Sequence, residues 1–128
     1  MSVVKSVIMV IEDNPDNMDL VTEILEDEDY TVEGFDRAGP GLDRLQSGGI
    51  DLILMDVSLP DMNGLDATRL IKKDDALKHI PVLALTAHAM ANDERTCMDA
   101  GCDAYLTKPI DDELLLQRIS CFLEAPHA

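Results

Sequence analysis

Basic side chains are scarce in this chain: 10 Lys and Arg stand against 26 Asp and Glu, a formal charge of -16 over 128 residues. A phosphate backbone is held by Lys and Arg that displace its counterions, so nucleic acid is not an expected direct partner. The same charge argues against an anionic membrane surface. Long apolar runs are also missing: nothing approaches the ~20 residues that cross a bilayer. Met1-Ser2-Val3-Val4-Lys5 does not open a secretory signal, and a cytoplasmic protein is the expectation. Cys97, Cys102 and Cys121 are an odd number without CxxC spacing, which argues against zinc and against a disulfide framework. They read as reduced, part-buried small hydrophobes. No repeat, linker or low-complexity tail breaks the chain. A single domain over residues 1–128, with no effector domain, is expected.

What the chain does contain is a recurring alternation of apolar runs and helical patterns. The runs at 7–11, 50–55 and 81–85 are continuous, as in strands covered on both faces. Shorter runs lie at 30–35 and 104–106. Between them, Asn14-Pro15 caps a first helix whose stripe is Met18, Val21, Ile24 and Leu25. Ala38-Gly39-Pro40-Gly41 is poor helical material, so the second helix is expected only over 42–46, stopped by Ser47-Gly48-Gly49. Leu65, Ala67, Leu70 and Ile71 mark a third helix ending in Lys72-Lys73. A fourth is expected over 87–100, with Gly101 as its left-handed stop. Asp111 or a neighbour caps the fifth, which carries Leu115, Ile119, Phe122 and Leu123 on one face. Strand and helix repeated five times predict a parallel sheet with helices on both sides.

Polar groups follow three of the runs: Glu12-Asp13, Asp56 and Thr107-Lys108-Pro109. In open α/β sheets, ligand sites form where strands end. Carboxylates gathered there from separate strands repel unless a hard cation lies among them. The pattern therefore proposes a Mg²⁺ site with a lysine placed to meet an anion. Glu12-Asp13-Asn14 leads with two acceptor-only carboxylates and reads as a cation site, unlike the Gly-rich phosphate loops of nucleotide-binding folds. Helix capping by Asp13 or Asn14 explains one acid, but not two acids plus Asp56. Asp56 read alone is also a turn residue before Pro60, and Lys108 a surface partner for Asp111 or Asp112.

The string from Asp51 through Leu-Ile-Leu-Met-Asp56-Val-Ser-Leu-Pro60-Asp-Met-Asn-Gly64 resembles the phosphoacceptor segment of bacterial two-component response-regulator receiver domains. The resemblance runs over essentially the whole chain: Glu12-Asp13 resembles the family's acidic pair, Thr86-Ala87 its switch hydroxyl and small neighbour, Tyr105 its aromatic switch, and Lys108-Pro109 its lysine with a cis-proline bond. His79-Ile-Pro81, Thr86-Ala-His-Ala-Met90 and Ala100-Gly-Cys-Asp-Ala-Tyr105 are most similar to single-domain regulators of the DivK type and to receivers fused to hybrid histidine kinases. The resemblance implies a doubly wound (βα)5 flavodoxin-like, CheY-like sheet in the order 2-1-3-4-5. It implies Asp56 as acceptor of a phosphoryl group from a histidine kinase or histidine phosphotransfer protein, assisted by Lys108, Thr86 and Ala87. It implies Mg²⁺, with Mn²⁺ able to substitute, on Asp13, Asp56 and the Ser58 carbonyl, with Glu12 acting largely through water. Thr86 and Tyr105 would form the switch, while Ser58 and His88 would border the path of attacking water.

For partners, the resemblance implies that Asp16, Asp19 and Leu20 of the first helix meet the phosphodonor. A downstream protein would meet the fourth helix, fifth strand and fifth helix, near Met90, Ala91, Asp93, Glu94, Thr96 and Cys97. Two other classes compete. A constitutive pseudo-receiver would not need the complete set Glu12, Asp13, Asp56, Thr86 and Lys108. A haloacid-dehalogenase-type phosphatase would carry Asp two residues after its nucleophile, where this chain has Ser58.

Overall fold

The computed structural model describes residues 6–87 and 91–123, with the backbone alone at 91–94. Ten elements alternate: β1 (Val7–Ile11), α1 (Pro15–Asp27), β2 (Thr31–Phe35), α2 (Ala38–Leu45), β3 (Leu52–Asp56), α3 (Gly64–Lys73), β4 (Val82–Thr86), α4 (Ala91–Asp99), β5 (Ala104–Thr107) and α5 (Asp112–Phe122). The strands are all parallel, in the order β2-β1-β3-β4-β5, as the sequence resemblance implied.

The continuous apolar runs divide residue by residue between two helix layers. Met9, Ile11, Ile53 and Met55 pack with Leu45 and Ile71 on one face. Ile8, Val10, Leu52 and Leu54 pack with Val21, Leu25, Leu115 and Ile119 on the other. Alternate side chains of a strand point to opposite faces, so a strand covered on both sides must be apolar throughout. The reversal of strand order beside β1 opens a crevice at the carboxyl ends of β1 and β3.

The starts of α1, α3 and α5 follow local capping chemistry, and that of α2 is the exception among them. The Asn14 side chain accepts from Asp16 N and Asn17 N, with Pro15 in the first turn. Asn63 caps α3 through Leu65 N, and Asp111 caps α5 through Leu114 N. The exception is α2, which starts at Ala38 rather than at residue 42. Its N-cap, Arg37, makes no side-chain cap bond. Instead Asp61, far along the chain, accepts from Ala38 N at 2.9 Å and Gly39 N at 2.8 Å. A borrowed cap thus offsets two glycines and a proline, and Pro40 lies in the first turn, where its missing N–H costs nothing.

Three smaller corrections apply. Ala87 is a bend rather than the first residue of the fourth helix, whose described residues are Ala91–Asp99. Leu70 points to solvent, 53% exposed, while Thr68 takes the buried place and bonds back to Gly64 O. Of the free cysteines, Cys97 and Cys102 are buried, whereas Cys121 is exposed. Gly101 takes φ +104, the stop its position predicted.

Candidate functional site

β1 and β3 end side by side, with Ile11 in register with Met55, so the residues that follow them meet at the sheet's rim. Glu12 is anchored by its own N–H to Phe35 O at 2.9 Å and is 1% exposed. Asp56 closes β3 and is 3% exposed, while Asp13 is open to solvent. Oxygens of Glu12, Asp13 and Asp56 all lie within 4.8 Å of one another. Lys108 arrives from the end of β5. Its Nζ is 2.9 Å from Glu12 Oε1 and 3.3 Å from Asp56 Oδ1. The approach to Glu12 is an ion pair without hydrogen-bond alignment, so buried Oε1 keeps its lone pairs unbonded.

This is a site with a charge deficit. Three carboxylates face a single lysine, and a buried oxygen is left over. Burial first, then the contact with Glu12 and its charge, together raise the Asp56 carboxyl from 3.8 to about 7, and Ser58 N–H and Lys108 offset only part of that rise. Burial alone would lower the Lys108 ammonium, but Glu12 and Asp56 outweigh it and raise the group instead. A hard cation with oxygen ligands is what such a donor set fits. The residues open onto a cleft of about 410 Å³ lined by Glu12, Asp13, Asn17, Asp56, Ser58, Ala87 and Lys108, which leaves room for an anion beside the carboxylates.

The loop after β3 is built tightly around Asp56. Ser58 N donates to Asp56 Oδ1 at 3.2 Å, and Gly64 N to Val57 O at 2.8 Å. A Cβ at Gly64 would stand 2.0 Å from the Asp56 carbonyl oxygen, so only glycine fits there. Thr86 ends β4 nearly buried, and its carbonyl accepts from Lys108 N at 2.8 Å. The Lys108–Pro109 bond is cis.

The structure therefore brings Glu12, Asp13, Asp56, Ser58, Ala87 and Lys108 to one cleft, with Thr86 at the end of the adjoining strand. Tyr105 lies away from it, half-buried, in a groove between β5 and α5 with Met98, Arg118 and Phe122. His88 and Met90 fall outside the described residues, as do the side chains of Ala91, Asp93 and Glu94. Thr96 is exposed on α4, but Cys97, expected near the signalling face, is turned into the core. Asp16, Asp19 and Leu20 are exposed on α1. Sequence reasoning passed over Asp61. The signal was present in an acid at the tip of a proline-containing loop and a second helix lacking a cap of its own.

The profile of the response regulator receiver domain matches residues 8–120. The polar-differentiation response regulator DivK of Brucella anthropi is 40% identical over 116 residues, covering 91% of this chain and 94% of that protein. The receiver domain of a sensor histidine kinase from Pseudomonas aeruginosa, solved with a magnesium ion coordinated in its active-site cleft, superposes with a TM-score of 0.87. It is 30% identical and covers 95% of this chain and 100% of that one. A Vibrio cholerae chemotaxis protein, CheY4, shares the fold at a TM-score of 0.87 and 24% identity, covering 94% and 100%.

Proposed function

The chain belongs to the response regulator receiver domain family, and on that premise we propose that Asp56 accepts a phosphoryl group from the phosphohistidine of a histidine kinase or phosphotransfer protein. Receivers are signalling components of two-component systems rather than enzymes in the ordinary sense, and they bind Mg²⁺ in an acidic pocket. One observation carries the finer reading: a nearly buried carboxylate, Asp56, has a lysine ammonium at 3.3 Å and two further carboxylates beside it, at the wall of an open cleft.

An Asp56 oxygen attacks phosphorus in line, the P–N bond breaks, and the departing imidazole keeps its electron pair. A carboxylate is a weak nucleophile, so the work falls to placement and charge. Ser58 N–H fixes one Asp56 oxygen. Lys108 presents a compact charge to a phosphoryl oxygen, and the Thr86 hydroxyl and Ala87 N–H donate to others. Mg²⁺, with Mn²⁺ as a substitute, would rest on Asp13, Asp56 and the Ser58 carbonyl, with Glu12 acting through water, and would neutralise the carboxylates and favour ionised Asp56. Hydrolysis reverses the modification: water attacks phosphorus, the P–O bond to Asp56 breaks, and phosphate leaves. Ser58 is small enough to leave that path open; the role proposed for His88 on the same path rests on the family resemblance alone, since that residue lies outside the described ones.

Thr86 turning toward the phosphoryl group, with Tyr105 moving inward behind it, would change the α4-β5-α5 face for a downstream protein. The exposed Asp16, Asp19 and Leu20 of α1 are proposed to meet the phosphodonor in the cytoplasm. With Mg²⁺ and a small phosphodonor such as acetyl phosphate, intact mass should show one phosphate adduct that decays, and none in Asp56→Asn. No adduct with any donor would instead favour a constitutive binding module, and sustained turnover of a phosphomonoester would favour a phosphatase.

A further inference from the structure

The segment from Val57 to Asn63 is held at two points. At its neck, Gly64 N donates to Val57 O at 2.8 Å, and Ser58 bridges to Asn63 across the loop. At its tip, Asp61 lays both carboxylate oxygens on the first two amides of α2, at 2.9 and 2.8 Å. These bonds span more than twenty residues of sequence. The approach is close: a Cβ on Gly39 would already stand 3.2 Å from Asp61 Oδ2. The N–H groups of Gly39 and Ala38 hold the Asp61 carboxyl below its ordinary value, so the cap is a charged one. The helix N-terminus it meets attracts an anion, and Arg37 next door offers no competing side-chain cap. α2 is in turn fixed to the sheet, with Leu45 and Ala38 buried against the layer that holds Met9 and Met55.

We infer that Asp61 is a positioning residue for the cation site: it ties the tip of the post-β3 loop to α2 and so sets where the Ser58 carbonyl stands relative to Asp56. This deepens the reading proposed above and rests on it. The neck bonds alone fix the loop's base. Only Leu59 and Pro60 separate Ser58 at the base from Asp61 on the rigid helix end, and Pro60 limits the backbone between them. Freed from α2, the loop is left with its neck bonds alone, which then open more often. The Ser58 carbonyl would then sample orientations that do not face the cleft. Supports of this kind typically tune metal affinity about tenfold or more without touching the ion.

The test compares this chain as wild type, Asp61→Ala, Asp61→Asn and Leu42→Ala, titrated with Mg²⁺ and followed by amide chemical shifts. Leu42→Ala loosens the same helix at the groove it shares with Leu70 and Leu77 and leaves the two Asp61 bonds in place. Asp61→Ala should raise the Mg²⁺ Kd about tenfold, with Asp61→Asn, which keeps one acceptor oxygen, in between. Amide exchange at Ser58 and Gly64 should quicken in Asp61→Ala. Leu42→Ala should lower Tm yet leave Kd within about twofold and those amides protected. A Kd for Asp61→Ala within about twofold of wild type overturns the inference, as does an equal change in Leu42→Ala. A wild-type protein that takes up no Mg²⁺ overturns the cation site itself, a different failure, visible before any variant is made.

Discussion

Raising the pH in EDTA should destabilise this protein through one group. In the fold, burial and Glu12 move the Asp56 carboxyl from 3.8 to about 7; unfolded, it returns to the ordinary value. A carboxyl raised in the folded state binds its proton more tightly there than in the unfolded chain. Its favourable contribution is therefore complete below about pH 4 and is lost as pH climbs through about 7. At ~1.4 kcal/mol per tenfold, the whole span is on the order of 4 kcal/mol, of which about 2.5 falls between pH 5 and pH 8. Unfolding entropy of ~2.1 cal/mol/K per residue converts that part into a fall in Tm of roughly 10 °C for a chain of this length. Thermal melts of wild type and Asp56→Asn, in EDTA at pH 5, 6, 7 and 8, isolate the effect, because every other acid is common to both. The wild-type curve should descend about 10 °C more steeply than the variant's. Millimolar Mg²⁺ should abolish the difference, since a ligand at 100 times its Kd adds ~2.7 kcal/mol to the state that binds it. Parallel wild-type and Asp56→Asn profiles in EDTA would refute the crowding of charge on which the site depends.

Two further outcomes follow from the same geometry. Gly64→Ala forces a methyl against the Asp56 carbonyl and should cost about 2–4 kcal/mol in chemical denaturation; it should also slow phosphate-adduct formation, and a stable, fully active variant would contradict the packing of that loop. Lys108→Met leaves Glu12 and Asp56 buried without a cation, which should cost ~3 kcal/mol at pH 8 in EDTA and much less with Mg²⁺ present, as differential scanning calorimetry would show.

The sheet and the acid cluster were legible because each rests on local chemistry. Runs such as Leu52-Ile53-Leu54-Met55 are apolar at every position, and only a strand buried on both faces needs that. Glu12, Asp13 and Asp56 follow such runs directly, so placing the strands places the carboxylates. The errors share a cause as well. The start of α2 was misplaced because its cap, Asp61, comes from beyond β3, and no window of sequence around Ala38 contains it. Leu70 fits a helical stripe as well as Thr68 does, and only the tertiary position of α3 decides which one is buried. Helical residues at 87 onward predict a helix, yet the chain bends at Ala87 after leaving β4. Cys121 lies near the end of an amphipathic helix whose covered face is too narrow to include it.

The residue-by-residue division of β3 between two helix layers makes this strand a ruler. Inserting one residue between Leu52 and Asp56 would exchange the contents of the layers, sending Leu54 where Met55 belongs, or else push the carboxylate a rung beyond the rim and away from Glu12. Length can vary cheaply at the Gly48–Gly49 turn that precedes β3, where a Cβ at Gly48 would meet nothing within 4 Å and the backbone is already in the left-handed region. Tolerance to insertions and deletions should therefore change abruptly within a few residues of Ile50.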